Sequence, residues 1–345
     1  MSGRHRRSRT FNSLLVAGIA IAFSTAASSE RRSTHSRPLR VTAERTVDDA
    51  QPFSLISGPF RCDAAGNIFF VPVAHQGSGG VTTPDTVVEI SGTGRKSTRF
   101  SLGSVEHLSG ARIVTTALDG GGDLYVLARS QSEKGAKQSV VSFDSQGKYR
   151  SKIDVDIEEI VVDNFAAFGA GAFLLAGERP HSPGGARRAV LAADGTLRDV
   201  WLPESGANRE NTVDTGEMFT SFAEVGPDGR IYFARNTDKS DVYSISSSGE
   251  IDKLFDLVPP RRNARLTAIK ISRNRLAAIY QIDVPETGTS SREVSIHDLS
   301  TGETLASYGP IPNLVMCYQS TEALPDRFTL FSIKNWRMQL LTALP

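Results

Sequence analysis

The sequence predicts an all-β fold: a six-bladed β-propeller of four-stranded antiparallel blades. Two motifs and their common phase carry this reading. The first is a turn followed by a short apolar strand, clearest in Asp63-Ala-Ala-Gly66-Asn-Ile-Phe-Phe, Asp119-Gly-Gly-Gly122-Asp-Leu-Tyr-Val and Asp228-Gly229-Arg-Ile-Tyr-Phe. It recurs six times, and its first strand residues are Ile68, Leu124, Phe173, Ile231, Leu276 and Phe328, spaced 45 to 58 residues apart. The second is an alternating strand that runs into a glycine turn: Val87–Ile90 to Gly94, Val140–Phe143 to Gly147, Ala189–Ala192 to Gly195, Val242–Ile245 to Gly249 and Val294–His297 to Gly302. Repeats of this length, built from short strands, stack as blades around an axis. Long helical periodicity is absent between Val41 and Pro345, which excludes an α/β arrangement.

Taken from the N-terminus, the chain begins with a positive segment (Arg4, Arg6, Arg7, Arg9), an apolar run from Leu14 to Phe23 and the small residues Ser24-Thr25-Ala26-Ala27-Ser28. That order is the pattern of a cleaved export signal. An apolar core of about ten residues is short for a membrane span, which needs roughly 20. Residues 1–27 are therefore read as a signal peptide of the general secretion type, and the location as periplasmic or secreted. Membrane contact is expected only transiently, through this segment. Residues 28–38 are polar and basic and read as a flexible spacer. The propeller is assigned to residues 39–345.

The whole chain has 39 basic and 38 acidic residues; removing residues 1–27 takes away four arginines and no acid, leaving 35 against 38. No basic excess remains for a nucleic-acid footprint.

Within each repeat the turn and strand have separate physical reasons. Asp bonds back to the turn backbone, and Gly takes a positive φ. The residues that follow are apolar, β-branched or aromatic and suit a half-buried strand. The sixth unit, Phe328 to Leu341, ends after what should be its third strand. The segment Leu39–Thr46 has strand character and is expected to pair as the outer strand of that blade. This closes the ring and hides a sheet edge. Two cysteines after an export signal suggest a disulfide. Cys62 falls in the first blade and Cys317 in the sixth, which are ring neighbours. Counted from the strand starts, however, they are about five residues, or roughly 16 Å, out of step, against the ~7 Å limit for bonded Cα atoms. Two buried free thiols are expected.

The units Asp63–Val71, Asp119–Ala128 and Asp228–Ala234 resemble blades of NHL-type and TolB-like six-bladed propellers. The resemblance implies the fold and leaves activity open. Gluconolactonase-like relatives hold a divalent metal with a Glu just before a Gly-Pro pair. Here the pair is Gly58-Pro59, and Ser57 precedes it; Asn164 and Asn236 are available as further ligands but lie in no matching motif. Loss of the anionic oxygen would weaken a hard-metal site.

Other chemistry finds little support. Gly92-Thr-Gly94-Arg-Lys96-Ser97 lacks phosphate-loop spacing, and no Gly-x-Ser-x-Gly elbow is present. His75, His107, His181 and His297 are scattered singly, and Asp154-Val-Asp156-Ile-Glu158-Glu159 lacks the glycine of a calcium loop. No cofactor or metal is expected. The candidate ligand ring lies five positions after each strand start. It comprises Arg129, Glu178, Asn236 and Gln281, with Val73 and Ile333 completing the six positions. The functional expectation is a non-enzymatic, monomeric binding module for a protein partner or small polar ligand at the channel mouth. The alternatives are a metal-dependent lactonase- or lyase-like propeller enzyme and a purely structural surface protein.

Overall fold

The computed structural model describes residues 36–47, 55–73, 75–76, 80–81, 84–94, 97–132, 135–156, 158–180, 187–193, 196–200, 223–236, 240–284, 289–320, 326–334 and 337–345. The segment read as an export signal and the first part of the spacer lie outside them. No helix among the described residues is long and apolar enough to cross a membrane.

Six four-stranded antiparallel sheets follow one another along the chain. Blade 1 comprises Leu55–Cys62, Ile68–Val73, Thr86–Ile90 and Ser97–Ser101, and blade 2 Arg112–Leu118, Leu124–Ser132, Gly135–Phe143 and Tyr149–Val155. Blade 3 comprises Val161–Gly169, Ala172–Glu178, Arg187–Ala193 and Thr196–Asp199, and blade 4 Glu224–Val225, Ile231–Asn236, Ser240–Ile245 and Ile251–Leu257. Blade 5 comprises Ala264–Ser272, Arg275–Val284, Thr289–Asp298 and Thr304–Ile311. Blade 6 has Leu314–Gln319, Arg327–Lys334 and Arg337–Leu344, and takes its fourth strand, Arg40–Thr46, from the other end of the chain. First strands of successive blades touch around the whole circle, including blade 6 to blade 1. They therefore line the axis.

One turn is reused throughout. In the first-to-second-strand turns of blades 1 and 2, Asp63 and Asp119 donate their N–H to the carbonyl four residues on, and Gly66 and Gly122 donate back to the Asp carbonyl at 3.0 Å. Gly122 has φ +84, a conformation that L side chains rarely adopt. The same closure recurs between third and fourth strands at Asp144–Lys148 and Ser246–Glu250. The aspartate side chains also hold the strands that follow. Tyr125 donates its hydroxyl to Asp119 at 3.2 Å and Tyr232 to Asp228 at 2.8 Å. Burial, then Asp119, pushes the Tyr125 phenol up to about 12.

The core is divided among the blade interfaces. Strand alternation sends Val126 and Ala128 toward blade 1, where they meet Phe69, Val71 and Phe100. The intervening Tyr125 and Leu127 face blade 3 and pack on Phe165, Phe173 and Leu175. Similar clusters join blades 3 and 4, 4 and 5, and 5 and 6. A further cluster, with Ile68, Phe70, Met316 and Leu340, joins blade 6 to blade 1. Between blades 5 and 6, buried Asp326 accepts from Tyr308 (2.9 Å), Tyr318 (2.9 Å) and Arg275 (2.8 Å). Burial, followed by Asp326, raises both phenols.

The closure expected for residues 39–46 is present as Arg40–Thr46. It runs antiparallel to the third strand of blade 6, from Arg40 opposite Leu344 to Thr46 opposite Gln339. Just before it, Arg37 donates to the Ser307 carbonyl at 2.9 Å and accepts from Gly309 at 3.0 Å. The terminal segment thus also binds the outer strand of blade 5.

The expectation of free thiols is corrected: Cys62 and Cys317 form a disulfide, with Cα atoms 5.8 Å apart. Register belongs to strand pairing, and distance along the chain misstates it when turns differ in length. Cys62 pairs with Ile68, and Tyr318 pairs with Phe328. The longer connection in blade 6 absorbs four of the five residues, and one residue of true offset remains.

Two expectations follow for the seam between blades 6 and 1. Removing residues 1–50 lowers unfolding stability by about 5 kcal/mol or more, near 10 °C in Tm for a domain this size, as read by thermal and urea denaturation. The double substitution Cys62→Ser/Cys317→Ser costs up to about 5 kcal/mol, because the bond closes a very long loop. Wild-type protein in reductant should match it.

Candidate channel-mouth site

At the end of the channel where first strands turn into second strands lies a cavity of about 720 Å³. It is lined by the ends of first strands and the turns that follow in five blades, with Ala166 supplied by blade 3. Its floor has a register. Arg61 lies opposite Phe69, Ala117 opposite Tyr125, Ala166 opposite Leu174, Glu224 opposite Tyr232, Lys270 opposite Ala277 and Cys317 opposite Thr329. These form one layer of the ring, each opposite the residue after the first core residue of its blade's second strand, and all but Cys317 line the cavity. Three members are charged, two are alanines and one is the disulfide cysteine.

The charged members meet across the axis. Arg61 is 3% exposed and Lys270 7%. The Arg61 guanidinium donates through Nε to the Thr116 carbonyl at 2.9 Å, and through Nη1 to the Ala223 carbonyl at 3.2 Å and to Glu224 Oε1 at 3.3 Å. The Lys270 ammonium donates to the same Glu224 oxygen and to the Phe60 carbonyl, the latter at 3.2 Å. Blades 1, 2, 4 and 5 are thereby braced to one another.

A bulge presents that Phe60 carbonyl. Ser57 pairs with Val71 and Arg61 with Phe69, so the register shifts across Gly58–Phe60, and Gly58 sits at φ +76. Bulges of this kind re-aim groups near sites. Burial, with Arg61 adding to it, pulls the Lys270 ammonium below the usual lysine range against the opposing pull of Glu224.

Arg129, Glu178, Asn236 and Gln281 lie elsewhere. Arg129 pairs with Arg112, Glu178 with Val161 and Gln281 with Arg265, all at or near the starts of first strands. Asn236 ends its second strand opposite Ser240. They stand on four different blades, at the opposite end from the cavity. Arg129 is partly exposed, Glu178 is exposed, and the Asn236 side chain is outside the described residues. Gln281 donates to Asp283 at 2.8 Å.

Among the residues weighed for metal chemistry, the Ser57 side chain is outside the described set. Asn164 accepts from the Phe165 N–H at 2.9 Å. His107 is exposed beside Glu106, and buried His297 stacks on Phe255. Among the described residues no three His, Cys, Asp or Glu side chains gather to hold a metal ion.

Arg61, Glu224 and Lys270 were not singled out from the sequence. A signal for them exists: Arg61, Ala117, Ala166 and Glu224 each stand seven residues before a strand start, and Lys270 stands six before Leu276. A charge at that position interrupts apolar neighbours, as in Ile269-Lys270-Ile271.

No family model matches the sequence, and no curated protein sequence does. Among solved structures, the chain is similar to a protein of unknown function from Dyadobacter fermentans DSM 18053. That match has a TM-score of 0.51 and 10% identity, and covers 89% of this chain and 99% of that one. It is also similar to the GH74 enzyme of Niastella koreensis (TM-score 0.48, 15% identity, 84% and 42% covered). A third is prolyl oligopeptidase B of Galerina marginata (TM-score 0.45, 11% identity, 83% and 48% covered). What these likenesses concern is the fold. The chain spans less than half the length of the latter two proteins.

Substituting Glu224→Gln leaves two buried cations without their shared carboxylate. The expected loss is about 3 kcal/mol in urea unfolding at neutral pH.

Proposed function

We propose that this chain is an exported, non-enzymatic propeller of the NHL-like type that holds a small polar ligand in the channel mouth ringed by the first-to-second-strand turns. The observation that carries this reading is the cavity of about 720 Å³ with Arg61, Glu224 and Lys270 at its floor. Its size falls within the range of small-molecule sites, and convergent polar groups are what such sites use for orientation. Rigid strands, rather than loops, position all three side chains. The Cys62–Cys317 bond supports a location outside the cytosol, since disulfides persist in oxidising compartments, and the residue order of the first 27 positions supports the same reading.

The test is a thermal-shift screen of the oxidised protein with glucose, gluconolactone, diglycine, phosphate and citrate, alongside elemental analysis for bound metal. At least one of these is expected to raise Tm saturably. Ala65→Trp should abolish that shift without lowering the unliganded Tm, because Ala65 is an exposed residue of the cavity wall. A stoichiometric tightly bound metal would overturn the non-enzymatic reading. A shift that survives Ala65→Trp would place the ligand elsewhere.

A further inference from the structure

We propose that the channel-floor layer is an anion site, and that the ligand presents a carboxylate or phosphate group to Arg61 and Lys270. This rests on the small-ligand reading above and gives the ligand its charge. The layer holds two cations and one carboxylate. Glu224 accepts from both cations through a single oxygen, Oε1. Among the described residues, the remaining contacts of Arg61 and Lys270 are to backbone carbonyls, which carry no net charge. With Lys270 protonated, the described residues therefore leave one positive charge over in this buried layer, and a bound anion would offset the burial that disfavours its charged form.

The donors point to the same conclusion. Arg61, 3% exposed, has a buried Nη2 with no hydrogen-bond partner among the described residues. A guanidinium with free N–H groups is suited to planar, bidentate oxyanions. Arg327 lines the same cavity, and its Nε is also buried with no hydrogen-bond partner among the described residues. The charged residues lining the cavity leave the same sign: Arg61, Lys270, Arg273 and Arg327 stand against Asp63, Asp119 and Glu224, and hydrogen bonds hold the two aspartates in their turns. Asp63 accepts from the Asn67 backbone and side chain at 2.8 Å each. Asp119 is committed to its own turn and to Tyr125. Ala117 and Ala166, in the same layer as the charges, provide room where larger side chains would fill the channel.

The experiment uses the oxidised full chain, with phosphate, citrate and acetate as anionic probes, glucose as the neutral probe and sodium chloride at matched ionic strength as the control. Titration calorimetry gives affinity, and thermal shift gives stability. Phosphate or a carboxylate is expected to bind saturably, and comparison of phosphate with citrate and acetate identifies which oxyanion is preferred. Lys270→Met leaves a one-to-one Arg61–Glu224 pair. It should fold and lose roughly tenfold or more in affinity, the worth of a hydrogen bond to a charged group. Arg61→Gln should lose as much. Glu224→Gln removes the competing carboxylate, so its affinity should rise, and saturating anion should return much of its lost Tm.

Saturable binding of glucose with none by any anion would overturn the anion site and leave the small-ligand reading standing. Anion binding unchanged in both Lys270→Met and Glu224→Gln would also overturn it. Failure of every probe in every variant would overturn both readings.

Discussion

Every blade in this molecule has two apolar faces, and a single blade cannot cover either. Val126 and Ala128 need blade 1, while Tyr125 and Leu127 need blade 3. That requirement passes from blade to blade, and only a closed circle ends it. The blade 6 to blade 1 interface is therefore the contact on which the others depend. Three independent devices meet there: apolar packing around Ile68, Phe70 and Met316, the ladder between Arg40–Thr46 and Arg337–Leu344, and the Cys62–Cys317 bond. They act on different parts of the free energy. Packing and the ladder stabilise the folded ring, whereas a covalent link across a long loop acts chiefly by restricting the unfolded chain, on the chain-entropy account.

A ring also creates an axis, and the axis must be filled or occupied. Most first strands carry small or apolar residues there, but the layer at Arg61, Glu224 and Lys270 is ionic. Buried ion pairs rarely add stability relative to well-packed apolar side chains, because desolvation offsets the attraction. Their presence here is better understood as fixing geometry. Arg61 reaches the Ala223 carbonyl and Glu224 on the far side of the channel and Thr116 on the neighbouring blade. The blades are thus held at a set distance around a polar floor. The same arrangement that braces the ring also concentrates positive potential at one mouth.

The architecture was legible in the sequence because its signals are local. Asp119 and Gly122 announce a turn within four residues, and alternation announces a strand within six. Counting the starts from Ile68 to Phe328 placed the second strand of every blade within one residue of its observed beginning. The short sixth unit also identified its missing strand. What depended on comparing blades was harder to read. Chain distance misplaces the cysteines, because the longer connection before Asp326 hides a one-residue offset. The channel layer lies seven residues before the strand starts in four blades, but nothing local distinguishes a channel-facing Arg61 from a surface arginine. Its meaning comes from Glu224, 163 residues away. Arg129, Glu178, Asn236 and Gln281 came from counting forward along the second strands, which leads away from the mouth that holds the cavity.

The borrowed strand has a consequence for biogenesis. Thr42 bonds to the Thr342 carbonyl 300 residues further along the chain, so the last blade is assembled from opposite ends of the polypeptide. Five blades can form from neighbouring sequence as the chain emerges, but the circle waits for Arg337–Leu344. Contacts of such long sequence separation form late, because loop closure must precede them. Until then, one face of blade 1, one face of blade 5 and unpaired edges of blade 6 remain open together. Open faces and edges of this kind are what make a folding chain aggregation-sensitive, so a chain interrupted before Arg337–Leu344 is more exposed than its small loss of sequence suggests.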